Sequence, residues 1–536
     1  MKLRGLLAAA LVIVLGAPGA LGAEPRIGKL VSYELGNYTI YTTRSASQAQ
    51  RFASALGKFH VSLEKLLGKR AIEMRIPTHI VILSSSEWQK YLQPRQEIAG
   101  WFQSGRFSNY IVMNGDAEGP EALHLVFHEY THYYLSSQFA GEYPPWFNEG
   151  LAEVMGYANF RKDMTILLIP TDRLREARDG DWIPFDRMLR IDHHSPEYVS
   201  HKLADSFYAQ SWLTVHYGLL ENRDFGRQIF QYLNQLNRLV PQETASKSAF
   251  GDLAAIDQQL RAYSRSTNLH SGGLALGEVP EVVLPPGKPV AELEALAIVA
   301  DLMIETRLAP DRIRPLVESL TRRAPDSARS AILAARLALY DEDQKAFDAA
   351  VARATSLMPA GDWLSRRELA SVLLDSALDF RPTSTRNTED SERDLTSAKR
   401  WFGEAITHNN EDVEALWGFG TAAMRLDNDL ELAEQALLAA YKRVPANANI
   451  AMSLASLKGR QQKPEEMVPY LKDTIRFANN RSMRKWAAET LIETEEYLEE
   501  RDRAEAENRK QREEYEKTRV EYEKKYGKPR KKNSGQ

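Results

Sequence analysis

The sequence predicts an α+β domain followed by an all-α solenoid of helical repeats. In the first part of the chain, short β-branched and aromatic runs alternate with helical patterns. Glycine and proline then accumulate over residues 271–290 and interrupt the periodicity. Beyond residue 290 the pattern is almost wholly helical, with small residues recurring inside apolar stripes. These three features together indicate two domains of different class.

Length and composition agree with this division. The chain has 536 residues, more than one domain usually holds, with 43% hydrophobic and 26% charged residues. The net charge is −4, and basic residues are spread along the chain, so nucleic acid is not an expected partner. There is no cysteine, which excludes disulfides and a lipid-modified cysteine.

Residues 1–23 are typical of a secretory signal peptide. Lys2 and Arg4 precede the apolar run "LLAAALVIVLGA", and small residues follow in "PGALGA". An uncleaved anchor is the alternative, but the run is shorter than the roughly 20 apolar residues that a spanning helix needs. We therefore expect a bacterial protein that is periplasmic or secreted, with no membrane span after signal removal.

The first domain is predicted to cover residues 24–270. It opens with strands at 38–42 and 79–83 and a helix at 46–67 between them, and a third strand follows at 109–114. The next helix carries "HLVFHEYTHYYL", and further helices are predicted at 202–217 and 225–236. The domain is connected to the second by the predicted linker 271–290.

Helical repeats are predicted over residues 291–487. Pro325 and Pro359 each separate two helical patterns and lie 34 residues apart, which is the tetratricopeptide period. A later unit has Gly420, Ala433 and Pro445 near the positions where that repeat uses small residues and proline. A polar stretch, "RPTSTRNTEDSERD", interrupts the strict period, and an irregular helical bundle is the alternative. Residues 488–536 are predicted to form a charged helical tail.

The motif "HEYTH" has the spacing of a metal-binding helix. His128 and His132 are four residues apart, so both imidazoles lie on one helical face and can bind one ion. Glu129 lies at the edge of that face, where its carboxylate can reach a water on the ion. The alternative is an ordinary helix that carries two histidines by chance.

A catalytic zinc site normally has three protein ligands, so another is needed. Glu149, in "PPWFNEGLAEVM", follows His132 by 17 residues on a second predicted helix. The intervening prolines would fold this helix back toward the first. An exposed helix with two acids at i and i+4 is the alternative interpretation.

The combination of HExxH and NEGxAE resembles the gluzincin metallopeptidases, most closely the peptidase MA-like domains, over roughly residues 35–235. The resemblance implies a small thermolysin-like fold in which Zn²⁺ is bound by His128, His132 and Glu149. It also implies that Glu129 is the catalytic base. Glu153 matches the acidic position that holds a histidine ligand through its other ring nitrogen. The spacing from His132 to Glu149 is slightly shorter than in the best-known members.

Related enzymes use a downstream tyrosine or histidine to stabilise the oxyanion that forms during hydrolysis. Tyr208, in "SFYAQSW", is the candidate here, because "YAQS" resembles the corresponding helix of peptidase MA-like proteins. An ordinary core tyrosine is the alternative, and four histidines compete for the role: His193, His194, His201 and His216.

The favoured hypothesis is a zinc metallopeptidase acting on a peptide or protein, with repeats that bind the substrate or a protein partner. The segment "GWFQSGRFSNYIVMN" is a candidate for an edge strand that pairs with substrate. The rival hypothesis is a non-catalytic periplasmic repeat scaffold with a peptidase-like binding domain. A domain kept only for binding has no need of Glu129, which favours the enzyme.

Overall fold

The computed structural model describes residues 24–67, 77–92, 100–117, 121–138, 143–192, 195–199, 201–238, 240–279, 281–306, 310–378, 388–445, 447–478 and 481–527. The predicted signal peptide, residues 1–23, lies outside these ranges. Among the helices they contain, none combines the length and the hydrophobicity required to traverse a bilayer.

A six-stranded mixed sheet organises the first domain. Its strands are β1 Val31–Leu35, β2 Tyr38–Thr42, β3 Thr78–Leu83, β4 Gly100–Ser104, β5 Asn109–Asn114 and β9 Lys288–Pro289. They are arranged in the order β4-β5-β3-β2-β1-β9. Parallel pairing joins β2 to β3 and β3 to β5, whereas β4, β1 and β9 pair antiparallel with their neighbours. The strands predicted at 38–42, 79–83 and 109–114 are confirmed.

Eleven helices belong to this domain within the described ranges, and two π-helical turns, Trp88–Leu92 and Tyr217–Glu221, accompany them. The helices predicted at 46–67, 202–217 and 225–236 are confirmed to within two residues. The helices are α1 Ala46–Leu67, α2 Ser85–Glu87, α3 Glu121–Gln138, α4 Pro145–Gly156, α5 Thr171–Asp179, α6 Phe185–Leu189, α7 Pro196–Val199, α8 His201–His216, α9 Arg223–Asn237, α10 Gln242–Phe250 and α11 Leu253–Ser264.

An aromatic core joins these helices to one face of the sheet. Phe59 of α1 and Phe127 of α3 stack with their ring centroids 4.1 Å apart. Ile80 and Ile82 of β3 point into the same core, and Trp146 of α4 is completely buried there. The helix that carries HEYTH is therefore fixed against the sheet by α1.

The predicted linker contains two short strands. β8, Gly272–Ala275, pairs with β7, Met164–Leu167, in a second antiparallel sheet whose other strand is β6, Ala158–Arg161. β9 pairs with β1 in the large sheet. The segment 271–290 therefore packs along the first domain. Strands of two and four residues are too short to show an alternating pattern, which is why the sequence indicated only a connection.

Paired antiparallel helices of tetratricopeptide type follow, and each pair after the first contains a first helix of 13 to 15 residues. Pro325, Pro359 and Pro445 lie in the turns between pairs. At Gly420 a Cβ would lie 2.9 Å from the Ala433 carbonyl oxygen, so glycine permits the close contact within that pair. The helices are α12 Glu292–Thr306, α13 Pro310–Arg323, α14 Ala328–Tyr340, α15 Gln344–Leu357, α16 Trp363–Ala377, α17 Thr388–His408, α18 Val413–Arg425, α19 Leu430–Arg443, α20 Ala448–Arg460 and α21 Pro464–Phe477.

The first repeat helices cover the second face of the large sheet. Val81 of β3 and Val112 of β5 are buried in one cluster with Leu296 and Val299 of α12 and Leu316 of α13. The sheet is consequently buried on both faces, by α1 and α3 on one side and by the start of the solenoid on the other.

The last helix, α22 Arg481–Tyr526, begins before the predicted tail and is 46 residues long. Ala487 and Leu491 pack against Leu471 of α21, and Tyr515 and Tyr522 further along are exposed. Residues 528–536 lie outside the described ranges.

Candidate metal centre

Two consecutive helices, α3 and α4, position the acidic and imidazole groups. Pro144 and Pro145 begin α4, where proline is compatible with the first turn because its missing N–H needs no partner. The Trp146 side chain, in that turn, is completely buried. At Gly150 a Cβ would lie 2.3 Å from the Ser211 carbonyl oxygen, so the glycine of the NEG motif lets α4 approach α8. The motif therefore sets the packing of α4 as well as its chemistry.

Three potential ligand atoms converge between α3 and α4. His128 Nε2 lies 3.1 Å from His132 Nε2 and 3.2 Å from Glu149 Oε2. His132 Nε2 lies 3.3 Å from the same oxygen. Ligands about 2.0–2.1 Å from a tetrahedral zinc ion are separated by roughly 3.3 Å. The buried group His128, His132 and Glu149 therefore has the dimensions of a metal site.

The charges at this group favour a cation. Burial alone would raise the pKa of the Glu149 carboxyl, but the two facing imidazoles outweigh burial and hold this pKa well below its usual range. Burial likewise opposes a charge on His132, yet the contact with Glu149 raises the pKa of this imidazole to about 9. Glu149 Oε2 is buried, and none of the described residues gives it a hydrogen bond of good geometry. A metal ion would satisfy this oxygen.

Two neighbouring side chains orient the ligands. The Asn148 side-chain oxygen lies 3.0 Å from His132 Nδ1, so a proton on Nδ1 can be donated to it and Nε2 is left free to bind a metal. The Tyr198 hydroxyl of α7 donates to Glu149 Oε1 at 2.8 Å. Each contact engages the polar atom of the side chain that does not belong to the converging set, His132 Nδ1 or Glu149 Oε1.

Glu153 lies on the other side of His128. Its Oε1 is 3.7 Å from His128 Nδ1, near the predicted position but beyond hydrogen-bonding distance. The same carboxylate accepts two hydrogen bonds from the Arg173 guanidinium, at 2.9 and 3.2 Å, and lies 3.4 Å from His124 Nε2. Burial alone would raise the pKa of Glu153, but His124 and Arg173 lower it to about 2.

His124, His128 and Glu153 form a second group that could hold a metal ion. This group shares His128 with the first, and its carboxylate is already paired with Arg173. Among the described residues, His124 Nε2 and His128 Nδ1 of the second group also lack hydrogen bonds, but the first group is the better metal site because its carboxylate oxygen is unsatisfied and not paired with an arginine.

Glu129 and Tyr208 lie beside the first group. Burial raises the pKa of the Glu129 carboxyl, although the charges of His128 and His132 act against the rise. The Tyr208 ring centroid is 6.5 Å from that of His128 and 6.3 Å from that of Tyr198. Burial raises the pKa of the Tyr208 hydroxyl, which therefore keeps its proton at neutral pH and can donate it in a hydrogen bond.

The competing histidines differ from Tyr208 in position. His216 is buried two turns further along α8, where its Nδ1 lies 2.7 Å from the Tyr263 hydroxyl. His201 begins α8, but its side chain lies outside the described residues, as do His193 and His194 entirely.

Four site residues were not identified from the sequence: His124, Asn148, Arg173 and Tyr198. His124 precedes His128 by four residues, so the helical spacing already in use would have placed it on the same face. Asn148 adjoins Glu149 within the motif. Arg173 and Tyr198 come from later helices, 20 and 49 residues away from their carboxylate partners, and no local pattern indicates such contacts.

Comparison with known protein families and with curated proteins finds no match for this chain. Among solved structures, it is similar to YrrB, a tetratricopeptide-repeat protein described as having an unusual peptide-binding site, with 14% identity and a TM-score of 0.28 over 36% of this chain and 90% of that one. It is also similar to PilF of Pseudomonas aeruginosa, with 11% identity and a TM-score of 0.31 over 44% of this chain and 93% of that one. The repeats are evident from the paired helices of this chain itself, and solenoids of this kind present surfaces for proteins and peptides.

Proposed function

We propose that the chain is a zinc-dependent metallopeptidase. The observation that carries this proposal is the buried convergence of His128 Nε2, His132 Nε2 and Glu149 Oε2 within 3.1–3.3 Å, with Glu129 adjacent. Two imidazoles and one carboxylate are the ligand set of zinc peptidases that keep a fourth position for water. The Asn148 contact, which leaves the His132 Nε2 lone pair free, supports the same proposal.

Zinc, when bound, would supply an acidified water and a positive charge beside the scissile carbonyl. Glu129 would accept the proton of the attacking water and pass it to the leaving amine. Burial raises the pKa of the Glu129 carboxyl, which favours acceptance of a proton, whereas a bound cation would act against this rise.

Tyr208 would donate a hydrogen bond to the developing oxyanion, because its hydroxyl remains protonated. The substrate would lie along β4, which is the edge strand of the sheet and packs against α3. An extended peptide can add to such an edge through backbone hydrogen bonds. The repeats would bind the substrate or a protein partner. The activity would lie in the periplasm or outside the cell, which the signal-like pattern of residues 1–23 supports.

The test combines metal analysis with hydrolysis of a mixed peptide library. The parent should retain about one zinc per chain, and Glu149→Ala much less, because three ligands are needed. Glu129→Gln keeps all three ligands and should retain zinc while losing hydrolysis about 10²- to 10⁴-fold.

Absence of zinc from the parent after metal is supplied would refute the metal site. Zinc binding without hydrolysis of any peptide would favour the rival reading, a repeat scaffold whose peptidase-like domain binds without cleaving.

A further inference from the structure

The turn between β4 and β5 extends from the sheet into the solenoid. The Gly105 N–H donates to the Ser108 carbonyl at 2.8 Å and closes the turn. Phe107, at the tip, is only 8% exposed and lies in the hydrophobic core of the repeats. We call residues 105–108 the hairpin tip.

Three successive repeats contact the hairpin tip. From α16, Asp375 forms an ion pair of 2.7 Å with Arg106. From α18, the Trp417 ring lies 4.9 Å from the Phe107 ring and 5.0 Å from the Arg106 guanidinium. At the start of α20, the Asn447 side chain donates to the Arg106 carbonyl oxygen at 2.9 Å. The tip therefore has an aromatic, an acidic and an amide contact.

These contacts come from one side of the solenoid. α14, α16, α18 and α20 are the first helices of their pairs, and each packs against the next along the chain. In stacked helix pairs, the helices that approach one another in this way line the concave face. Trp417 is fixed there by its own hydrogen bond of 3.0 Å from Nε1 to Ser453. The hairpin tip therefore lies on the concave face, which solenoids commonly use to bind peptides.

The hairpin also packs against α3, the helix that carries two of the candidate ligands. β4 pairs with β5 from Gly100↔Met113 to Ser104↔Asn109. The Phe102 ring of β4 lies 5.2 Å from the Tyr133 ring of α3, and Tyr133 directly follows the candidate ligand His132. A continuous series of packed groups thus runs from the repeats through β4 to the metal-binding helix.

We propose that the concave face of the repeats binds the β4–β5 hairpin as an internal ligand and thereby fixes the strand along which substrate pairs. The effect on substrate pairing rests on the proposed peptidase function, whereas the contact between the hairpin and the repeats does not. The part of the repeats around Trp417 then positions the hairpin of the catalytic domain. An external peptide would bind to other parts of the solenoid.

Hydrogen exchange of the full chain tests the contact directly. Arg106→Ala and Asp375→Ala each remove one member of the ion pair, and each should accelerate amide exchange over residues 100–108. The acceleration should be about fivefold for Arg106→Ala, because this variant also loses the stacking of Arg106 on Trp417. The double variant should match Arg106→Ala if the two side chains act on each other. Arg314→Ala is the matched control, since it breaks an ion pair of the same 2.7 Å length with Asp341 elsewhere in the repeats.

Unchanged exchange over residues 100–108 in both variants would overturn the internal contact, as would equal acceleration in the control. Zinc content should equal that of the parent in every variant. For a peptide that the parent cleaves, faster exchange should come with a raised KM, and an unchanged KM would overturn the positioning role. The exchange measurement needs neither zinc nor catalysis, so it distinguishes failure of this proposal from failure of the peptidase assignment.

Discussion

Asn148→Ala is the sharpest perturbation of the proposed metal site, because Asn148 contacts a ligand from the side away from the metal. Its Oδ1 lies 3.0 Å from His132 Nδ1. The substitution removes this acceptor and leaves His128, His132 and Glu149 in place. The His132 ring then loses the contact that fixes its orientation and its tautomer.

The expected loss follows from the geometry. A neutral hydrogen bond of this length contributes about 1 kcal/mol, and loss of the preferred tautomer adds to that cost. Removal of such outer contacts lowers metal affinity about 10- to 100-fold, or roughly 1.4–2.7 kcal/mol. Asn148→Asp keeps an acceptor in the same position and adds a negative charge, so it should bind zinc at least as tightly as the parent.

Competition with a chromophoric zinc chelator measures these affinities. Asn268→Ala, which changes an exposed asparagine of the same domain, is the control and should match the parent. Equal affinity of Asn148→Ala and the parent would refute the orienting role of Asn148. Equal losses in Asn148→Ala and Asn148→Asp would indicate that packing, rather than the acceptor, was disturbed.

Three further predictions follow from buried groups near the site. Tyr208→Phe should lower kcat about 100-fold with unchanged zinc affinity, and an unaltered kcat would assign the oxyanion donor elsewhere. Glu153→Ala should reduce the free energy of unfolding of the zinc-free chain by about 2 kcal/mol, because half-buried Arg173 loses the carboxylate that accepts two of its hydrogen bonds. A loss below about 1 kcal/mol in urea titrations would contradict this. Burial lowers the pKa of His216 to about 4. The unfolded chain therefore takes up this proton first, and the parent should lose up to about 3 kcal/mol as pH falls from about 6.5 to about 4. His216→Gln should flatten that part of the stability profile, and an unchanged slope would exclude the explanation.

The sequence predicted those candidate site residues that lie close to one another in the chain. His128, Glu129 and His132 lie within five residues of one helix, and helical periodicity alone places them together. Glu149 required a second helix to fold back, which the intervening prolines indicated. The partners of Glu153 could not be found in this way. Arg173 lies on another helix, and its ion pair with buried Glu153 depends on how α5 packs. Periodicity carries no information about such packing.

β4 was predicted as part of the candidate edge strand in "GWFQSGRFSNYIVMN", and it does lie at the edge of the sheet. The same limit explains why β8 and β9 were missed, since they are too short to show alternation. Their positions depend on partners far along the chain. β9 pairs with β1 across more than 250 residues, and a local pattern cannot indicate such a partner.

The central strand nevertheless contained a signal about the second domain. In β3, "THIVIL", apolar residues run consecutively instead of alternating, which is typical of a strand buried on both faces. Ile80 and Ile82 face α1 and α3, whereas Val81 and Leu83 face the cluster formed with α12 and α13. Ile27, Leu30 and Trp88 of the first domain cover only part of the second face, and most of the cluster there comes from beyond residue 290. Residue 270 is therefore a boundary in sequence pattern, while the hydrophobic core continues from the sheet into the repeats.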